Sequence, residues 1–260
     1  MTIQDDMNLL ILNKLKEIEK EYDIIVLWAV ESGSRAWGFE SEDSDYDVRF
    51  IYKRKMYDYL KLEQTRDVLE IQIDDTLDIV GWDLDKALKL LYRSNPSLLE
   101  WLNSPIIYLE SDFDYRIKEL VASYYQEDRL LYHYLNMCKS TIKKYFQSEK
   151  VLAKKYFYAI RPILACLWIM DNHQTPPVLF KTLCDSVLPS ELLPSINKLL
   201  MIKRTKDESY AINHIEVVDS FLEGTIKDVE RYLSTSEFTN DLDWNLLNTF
   251  FINEVSKINK

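Results

Sequence analysis

The sequence predicts an α+β fold, in which an N-terminal α/β unit precedes an all-helical C-terminal unit. Short apolar runs rich in Ile, Val and Trp, the pattern of buried strands, all lie before about residue 105. Beyond that point, apolar residues recur at helical spacing over long stretches. We therefore expect two domains, residues 1–108 and residues 109–260.

In the N-terminal unit, apolar residues spaced among charged ones predict a helix over residues 5–21. Apolar runs then predict four strands, at Ile24–Val30, Asp45–Tyr52, Val68–Ile73 and Thr76–Trp82. Asp74 and Asp75 predict a tight turn between the last two strands. A helix capped by Asp83 or Asp85 follows. Asn95-Pro96 interrupts the helical pattern and favours a new helix with Asn95 as its cap.

The C-terminal unit is predicted to be helical throughout. The second of its helices is expected to be broken or kinked at Pro162, because proline lacks the N–H that a helix interior needs. The expected helices span residues 113–138, 139–171, 190–203, 212–233 and 241–258.

Composition limits the class of protein. The chain is 47% hydrophobic with a net charge of -11, so it should bury a core and does not favour a broad nucleic-acid interface. Its apolar runs are too short to span a membrane, and no basic region precedes an apolar stretch as in a secretory signal. Three cysteines without C-x-x-C spacing favour reduced thiols in a cytoplasmic protein and argue against zinc.

One stretch combines features of an anion site and a cation site. Gly33-Ser34-Arg35-Ala36-Trp37-Gly38 holds two of the four glycines, directly after a predicted buried strand. A small-residue turn at a helix start offers free N–H groups to a phosphate, and the Ser34 hydroxyl adds a donor. Arg35 or Arg49 could add a charged contact, or either could be an ordinary solvated or ion-paired side chain.

The second half of the stretch, Asp43-Ser44-Asp45-Tyr46-Asp47-Val48-Arg49, begins the next predicted strand. Strand alternation puts Asp45 and Asp47 on one face and an apolar set on the other. Two such carboxylates can hold Mg²⁺ against substrate phosphates. Asp78, mid-strand and opposite an apolar face, is the expected third carboxylate.

The order Gly33-Ser34, Asp45-x-Asp47 and a later strand Asp resembles the nucleotidyltransferase fold of the DNA polymerase β superfamily. Together with Asn95-Pro96-Ser97-Leu98-Leu99-Glu100-Trp101-Leu102 and the segment from Lys155 to Pro162, it resembles a predicted nucleotidyltransferase family of that superfamily, some members of which are linked with RNA-repair ligases. The resemblance covers most of residues 25–170. It implies a minimal palm with a mixed β-sheet and a helical domain behind it.

The resemblance also implies roles for individual residues. Ser34, beside Gly33, would help to hold a nucleoside triphosphate. Asp45 and Asp47 would bind two Mg²⁺ ions (or Mn²⁺), and Asp78 would bind one of them. The reaction expected is transfer of a nucleoside monophosphate, AMP as the first candidate, to a hydroxyl with release of pyrophosphate. The acceptor, an RNA end, a protein or a small molecule, stays open, as does the oligomeric state.

Other features have two interpretations each. Between Lys139 and Arg161 there are seven basic residues and one acidic residue, interleaved with aromatic ones. This basic window could receive a triphosphate or an RNA end, or it could be a solvated helix face. Arg161, in an apolar context, should be paired or bound to the nucleotide. Glu100 could line the acceptor pocket or be structural. The histidines show neither metal spacing nor that of a helical ribonuclease.

Two functions follow. The first is a metal-dependent nucleotidyltransferase, which the three carboxylates favour. The second is a nucleotide-binding regulatory or partner-binding module with little turnover, which could dispense with the third carboxylate.

Overall fold

The computed structural model describes residues 3–257 except 42–43, 75, 208 and 239–241. It confirms the α+β class, with a five-stranded mixed sheet in the N-terminal part and helices after it. The strands of this sheet, β1 to β5, are Ile25–Glu31, Tyr46–Lys53, Val68–Gln72, Leu77–Asp83 and Ile107–Leu109. All four predicted strands are confirmed to within one or two residues at each end. The short β5 was not predicted.

The sheet has the order β3-β4-β2-β1-β5. Strands β2 and β4 pair in parallel, and the other pairs are antiparallel. The parallel register sets Asp47 directly opposite Asp78. The sheet topology therefore brings two of the predicted carboxylates onto neighbouring strands, more than thirty residues apart in the chain.

The two faces of the sheet are covered by different elements. Val48, Phe50 and Ile79 are fully buried on one face, where they join Ile11 and Leu15 of the N-terminal helix in one cluster. Ile51 of β2 points the other way, into a larger cluster with the remaining helices. Alternation along β2 thus puts apolar side chains in both clusters, while its carboxylate Asp47 and its Arg49 lie in the first half of the strand.

The helices, α1 to α12, span Ile3–Tyr22, Gly33–Trp37, Met56–Tyr59, Leu84–Tyr92, Pro96–Leu102, Asp112–Tyr124, Glu127–Tyr145, Ala153–Asn172, Phe180–Val187, Leu193–Thr205, Glu216–Thr235 and Asn245–Ser256. A 3-10 turn lies at Ser190–Leu192, and a two-stranded ribbon pairs β6, Lys150–Leu152, with β7, Ala211–Asn213. The predicted caps are confirmed. The Asp83 carboxylate accepts from the backbone N–H of Asp85, and the Asn95 side chain accepts from that of Leu98.

Two predicted helix boundaries are wrong. The segment predicted as a helix over 113–138 divides between Tyr124 and Glu127. The segment predicted over 139–171 divides at β6, and α8 continues through Pro162.

A neighbouring helix approaches the chain at the proline. Pro162 has no N–H to donate to the carbonyl oxygen of Tyr158, four residues earlier. The Thr141 hydroxyl of α7 lies 3.4 Å from that oxygen, although its shorter hydrogen bond, at 2.9 Å, goes to the Met137 carbonyl oxygen of its own helix. The adjacent helix therefore brings a polar group to the acceptor that proline leaves unpaired.

The larger buried cluster contains residues from the sheet and from the helices, from Leu27 to Leu247. α12 returns to α4, where Trp244 stacks on Tyr92 with ring centroids 3.8 Å apart. The division into domains at residues 108 and 109 stays a prediction. No helix in the described part of the chain is long and apolar enough to cross a membrane.

Candidate active site

The turn after β1 brings the backbone against a carboxylate. Gly33 begins the short helix α2 with φ at +61°, a conformation that L side chains rarely adopt. A Cβ at this position would lie 2.1 Å from Oδ2 of Asp47. The sequence therefore needs glycine here for two reasons, the backbone conformation and the approach of Asp47.

Asp47 is also fixed through its backbone. Its N–H donates to Oε1 of Glu31 at 2.6 Å, and its carbonyl accepts from the N–H of Ser32 at 2.9 Å. The Tyr108 hydroxyl of β5 donates to the other oxygen of Glu31. Burial raises the pKa of Glu31 to about 7, although these donors and the charge of Arg35 oppose the shift. The end of β1 and the start of β2 are thus held together around Asp47.

Arg49 lies between two of the predicted ligands. Its NH2 is 2.8 Å from Oδ1 of Asp47, and its NH1 is 2.9 Å from Oδ2 of Asp78. Its NH1 also donates to the carbonyl oxygens of Val48 and Asp78. Arg49 therefore bridges both carboxylates and offsets part of their charge. Its predicted contact with a nucleotide stays a prediction.

Asp47 combines burial with neighbouring negative charge. Its pKa is raised first by burial; Arg49 opposes the shift, and the charges of Asp78 and Asp45 add to it. A cation beside these carboxylates would relieve that repulsion. Carboxylate oxygens are also the ligands that Mg²⁺ prefers. The carboxylate oxygens of Asp45 and Asp47 are therefore suitable ligands for a hard divalent cation.

The third predicted carboxylate, Asp78, does not line the pocket with Asp45 and Asp47. Within the described ranges, no group of three or more His, Cys, Asp or Glu side chains is arranged so that it could hold a metal ion. Asp45 and Asp47 line one pocket. Asp78 lies on the neighbouring strand, opposite Asp47, in an ion pair with Arg49. Asp43 and Asp75, which belong to the predicted loop and turn, lie outside the described residues.

The pocket has a volume of about 110 Å³ and lies between the Gly33–Ser34 turn and the helices α8 and α10. Gly33 and Ser34 line it together with Asp45 and Asp47, as the sequence predicts. Its other walls are aromatic and basic, formed by Trp37, Phe39, Phe157, Tyr158, Lys154 and Lys203. Carboxylates that suit a cation therefore face ammonium groups that suit a phosphate.

Lys203 is a pocket residue that the sequence reasoning missed. It is only 7% exposed, and its Nζ donates to the Ser41 hydroxyl at 3.3 Å. The Ser41 N–H in turn donates to the Ser44 hydroxyl at 2.9 Å, so α10 holds the loop before Asp45. A signal was present, because Lys203 falls on the same helix face as the buried Ile196 and Leu199.

Arg35 lies apart from the pocket. Its Nε and NH2 donate to the carbonyl oxygens of Asp45 and Ser44, at 3.1 and 2.7 Å. Its guanidinium carbon lies 3.8 Å from the centroid of the Tyr46 ring. These contacts support the loop that carries Asp45. Direct binding of a nucleotide by Arg35 stays a prediction.

Arg161 is 3% exposed and is paired within the protein. Its NH1 lies 2.7 Å from Oε1 of Glu100, which also accepts from the Tyr134 hydroxyl at 2.9 Å. The Arg161 guanidinium carbon lies 4.5 Å from the Trp37 ring centroid, and the Trp37 indole N–H donates to Glu100 at 3.3 Å. Of the two interpretations of Arg161 and of Glu100, these contacts favour the structural one.

A family model, a relative and a solved structure match this chain. A sequence model of the family described as "RlaP: RNA repair pathway DNA polymerase beta family" matches residues 7–253. The chain is 43% identical over 246 residues to "Uncharacterized protein YcgL" of Bacillus subtilis (strain 168), covering 92% of this chain and 95% of that protein. A crystal structure of a nucleotidyltransferase-like protein from Exiguobacterium sibiricum 255-15 aligns over 85% of this chain and 73% of that one, with a TM-score of 0.31 and 11% identity.

Proposed function

Because this chain belongs to the RNA repair pathway DNA polymerase beta family, we propose that it is a metal-dependent nucleotidyltransferase. It moves a nucleoside monophosphate from a nucleoside triphosphate to a hydroxyl acceptor, with ATP as the first donor to test. One observation carries the proposal. A single pocket combines the Asp45 and Asp47 carboxylates, the Gly33–Ser34 turn and two lysines.

The size and charge of the pocket suit the triphosphate rather than the whole nucleotide. Its volume of about 110 Å³ is below the roughly 300–1,000 Å³ of sites that enclose a whole ligand. Lys154 and Lys203 supply positive charge, and Ser34 supplies a hydroxyl donor. Trp37 and Tyr158, at the same pocket, offer rings to the parts of the substrate that remain outside it.

Asp45 and Asp47 would hold the divalent ions, with Mg²⁺ or Mn²⁺ as the candidates. When bound, such ions neutralise triphosphate charge and lower the pKa of the acceptor hydroxyl. Asp78 is the third ligand in this proposal, and it reaches that role when Arg49 releases it. Glu31, bound to the Asp47 N–H, and the bare backbone of Gly33 fix where the Asp47 carboxylate lies.

The proposed step is an exchange at the α-phosphorus. The acceptor oxygen bonds to that phosphorus, and the bond from the phosphorus to the bridging oxygen of the β-phosphate breaks. The hydroxyl proton is released, and pyrophosphate leaves. Lys154 and Lys203 stabilise the charge that builds up on the departing pyrophosphate, because their ammonium groups are at the pocket before the reaction begins.

A label-transfer experiment tests the proposal. The protein is incubated with Mg²⁺ and ATP labelled at the α-phosphate, and RNA, the protein itself and cell extract are offered as acceptors. The double variant Asp45→Asn/Asp47→Asn should reduce transfer to background. A matched control is Asp112→Asn/Asp114→Asn, which neutralises another D-x-D sequence of the chain, in the first turn of α6. Full activity of the first variant would refute the site.

The second function is nucleotide binding with little turnover. The observation that favours it is the pair of Arg49 contacts, which engage Asp47 and Asp78 together and leave Asp78 off the pocket. In that case labelled ATP binds to the wild-type protein, and the Asp45→Asn/Asp47→Asn variant changes its affinity, but no acceptor takes up the label.

A further inference from the structure

Tyrosine rings and lysine ammonium groups alternate where α7 ends and α8 begins. Lys155 Nζ lies 4.3 Å from the ring centroid of Tyr145 and 4.6 Å from that of Tyr158. Lys144 Nζ lies 5.0 Å from the Tyr145 ring. We call these four residues the Tyr–Lys track. It forms because the antiparallel α7 and α8 bring both parts of the basic window to one end of the helix pair.

The track leads to the proposed active site. Tyr158 is 39% exposed and also lines the pocket that contains Asp45 and Asp47. The Trp37 ring, from the turn that follows Gly33, meets the Tyr158 ring edge-on with centroids 6.1 Å apart. A chain lying along Tyr145, Lys155 and Tyr158 would therefore end at the carboxylates.

Helix stability does not account for the charge of the track. Lys143 and Lys144 lie in the last turn of α7, where cations suit the helix dipole and need no other explanation. Lys154 and Lys155 lie in the first turn of α8, which contains no acidic residue. Positive charge at that end opposes the dipole. These two lysines destabilise α8, so their positions point to a role other than helix stability.

The surroundings of Tyr145 are electropositive. The pKa of its phenol is lowered first by a hydrogen bond with Lys144, and the charges of Lys155 and Lys144 add to the shift. In a chain with a net charge of -11, a polyanion is attracted to such a region and repelled by most of the remaining surface.

We propose that the Tyr–Lys track binds the end of a single-stranded nucleic acid and presents its terminal hydroxyl to Asp45 and Asp47. The identification of this strand as the acceptor rests on the proposed function. Rings that stack on bases, interleaved with ammonium groups that contact phosphates, are the pattern by which proteins hold single strands without reading their sequence. An acidic peptide would use the charges but would offer the rings no flat bases on which to stack.

Strand binding can be measured without any nucleoside triphosphate. Fluorescence anisotropy of short labelled single-stranded RNA and DNA gives Kd for the wild type and its variants at several salt concentrations. Tyr145→Ala removes the ring on which one base would stack. Because stacking of one base is worth roughly 1–3 kcal/mol, this variant should bind about 5- to 150-fold more weakly. Tyr145→Phe keeps the ring and should bind as the wild type does. Lys155→Ala should reduce the slope of log Kd against log salt by about 0.7.

The chain offers a matched control. Lys61 Nζ lies 5.4 Å from the ring of Tyr57 in α3, beyond the far end of β2. Tyr57→Ala and Lys61→Ala remove the same kinds of group from another exposed Tyr–Lys pair, and they should leave binding unchanged. Equal weakening by both sets of variants would overturn the proposal, and so would the absence of single-strand binding by the wild type. A preference for RNA or for DNA would identify the class of strand.

The same proteins separate the two proposals. If strands bind through the track but no label is transferred to them, the proposal of a binding track stands and the nucleotidyltransferase proposal fails. If label passes to a protein or a small molecule and strands do not bind, the nucleotidyltransferase proposal stands and the track proposal fails. The Asp45→Asn/Asp47→Asn variant should bind strands at least as well as the wild type, because it removes negative charge beside the track.

Discussion

Replacement of Gly33 by alanine tests the packing on which the candidate site depends. Gly33 has φ at +61°, and a Cβ built on it would lie 2.1 Å from Oδ2 and 3.0 Å from Cγ of Asp47. The added methyl group therefore meets the carboxylate that we propose as a metal ligand. Both the backbone and the side chain of the site should be displaced.

The size of the effect follows from these distances. A contact of 2.1 Å is about 1 Å shorter than carbon and oxygen tolerate, so Asp47 has to shift by roughly that amount, and a shift of about 1 Å at a reacting centre can cost about a hundredfold in rate. The left-handed backbone adds a loss of roughly 1–2 kcal/mol in the free energy of unfolding. The 2.8 Å contact between Asp47 and Arg49 would be broken by the same shift.

Gly224→Ala is the matched control. Gly224 lies inside α11, and nothing lies within 4 Å of a Cβ built there. Alanine should therefore stabilise the protein, by roughly 0.5–1 kcal/mol, without changing activity. Urea unfolding measures the stability of both variants, and label transfer from α-labelled ATP measures activity. Wild-type activity in Gly33→Ala, at a stability equal to that of the wild type, would refute the reasoning.

Two further variants probe buried charge. Lys203→Met should weaken binding of a fluorescent ATP analogue by about 10- to 150-fold, the value of one charged hydrogen bond of roughly 1.5–3 kcal/mol. The exposed Lys198→Met on the same helix should not weaken it, and equal losses in a fluorescence titration would contradict the assignment of Lys203 to the pocket. Burial raises the pKa of Asp83 to about 6, against opposing contacts from Asp85, Tyr59 and Arg54. The folded state therefore binds this proton more tightly than the unfolded state, and the contribution of Asp83 to wild-type stability should fall as the pH rises from about 4 to about 6, by at most roughly 3 kcal/mol. Asp83→Asn keeps an N-cap acceptor and should remove this fall in urea unfolding; a stability difference between the two proteins that stays constant with pH would contradict it.

The parts of the fold that were predictable depend on local pattern. Short runs rich in apolar residues identify β1 to β4, and β1 is apolar almost throughout because both of its faces are buried. Period-two alternation correctly places Val48 and Phe50 in the core and Asp45 and Asp47 on the pocket. Asn95 and Pro96 are recognisable as a helix start because capping involves residues only three apart.

Features that depend on partners distant in the sequence were missed. Pro162 was expected to break or kink a helix, but α8 continues through it, and the Thr141 hydroxyl of the neighbouring helix lies 3.4 Å from the carbonyl oxygen that the proline leaves free. The sequence left open whether Arg49 contacts a nucleotide or is ion-paired, and it could not identify the partners Asp47 and Asp78, because the parallel register of β2 and β4 brings them together. Periodicity along one segment contains no information about which side chain another segment brings to it.

Arg161 shows how an ambiguous residue connects the two halves of the chain. A buried arginine must be paired or bound to a ligand; nucleotide binding by Arg161 was predicted from the sequence and stays a prediction. The structure pairs it with Glu100 and sets it over the ring of Trp37, whose indole N–H donates to the same glutamate. Trp37 lies four residues after Gly33, so the orientation of the Gly33–Ser34 turn depends on α5 and α8. Glu100 therefore matters to the pocket without touching it, because its carboxylate joins the turn to the helix that carries Tyr158 and Lys154.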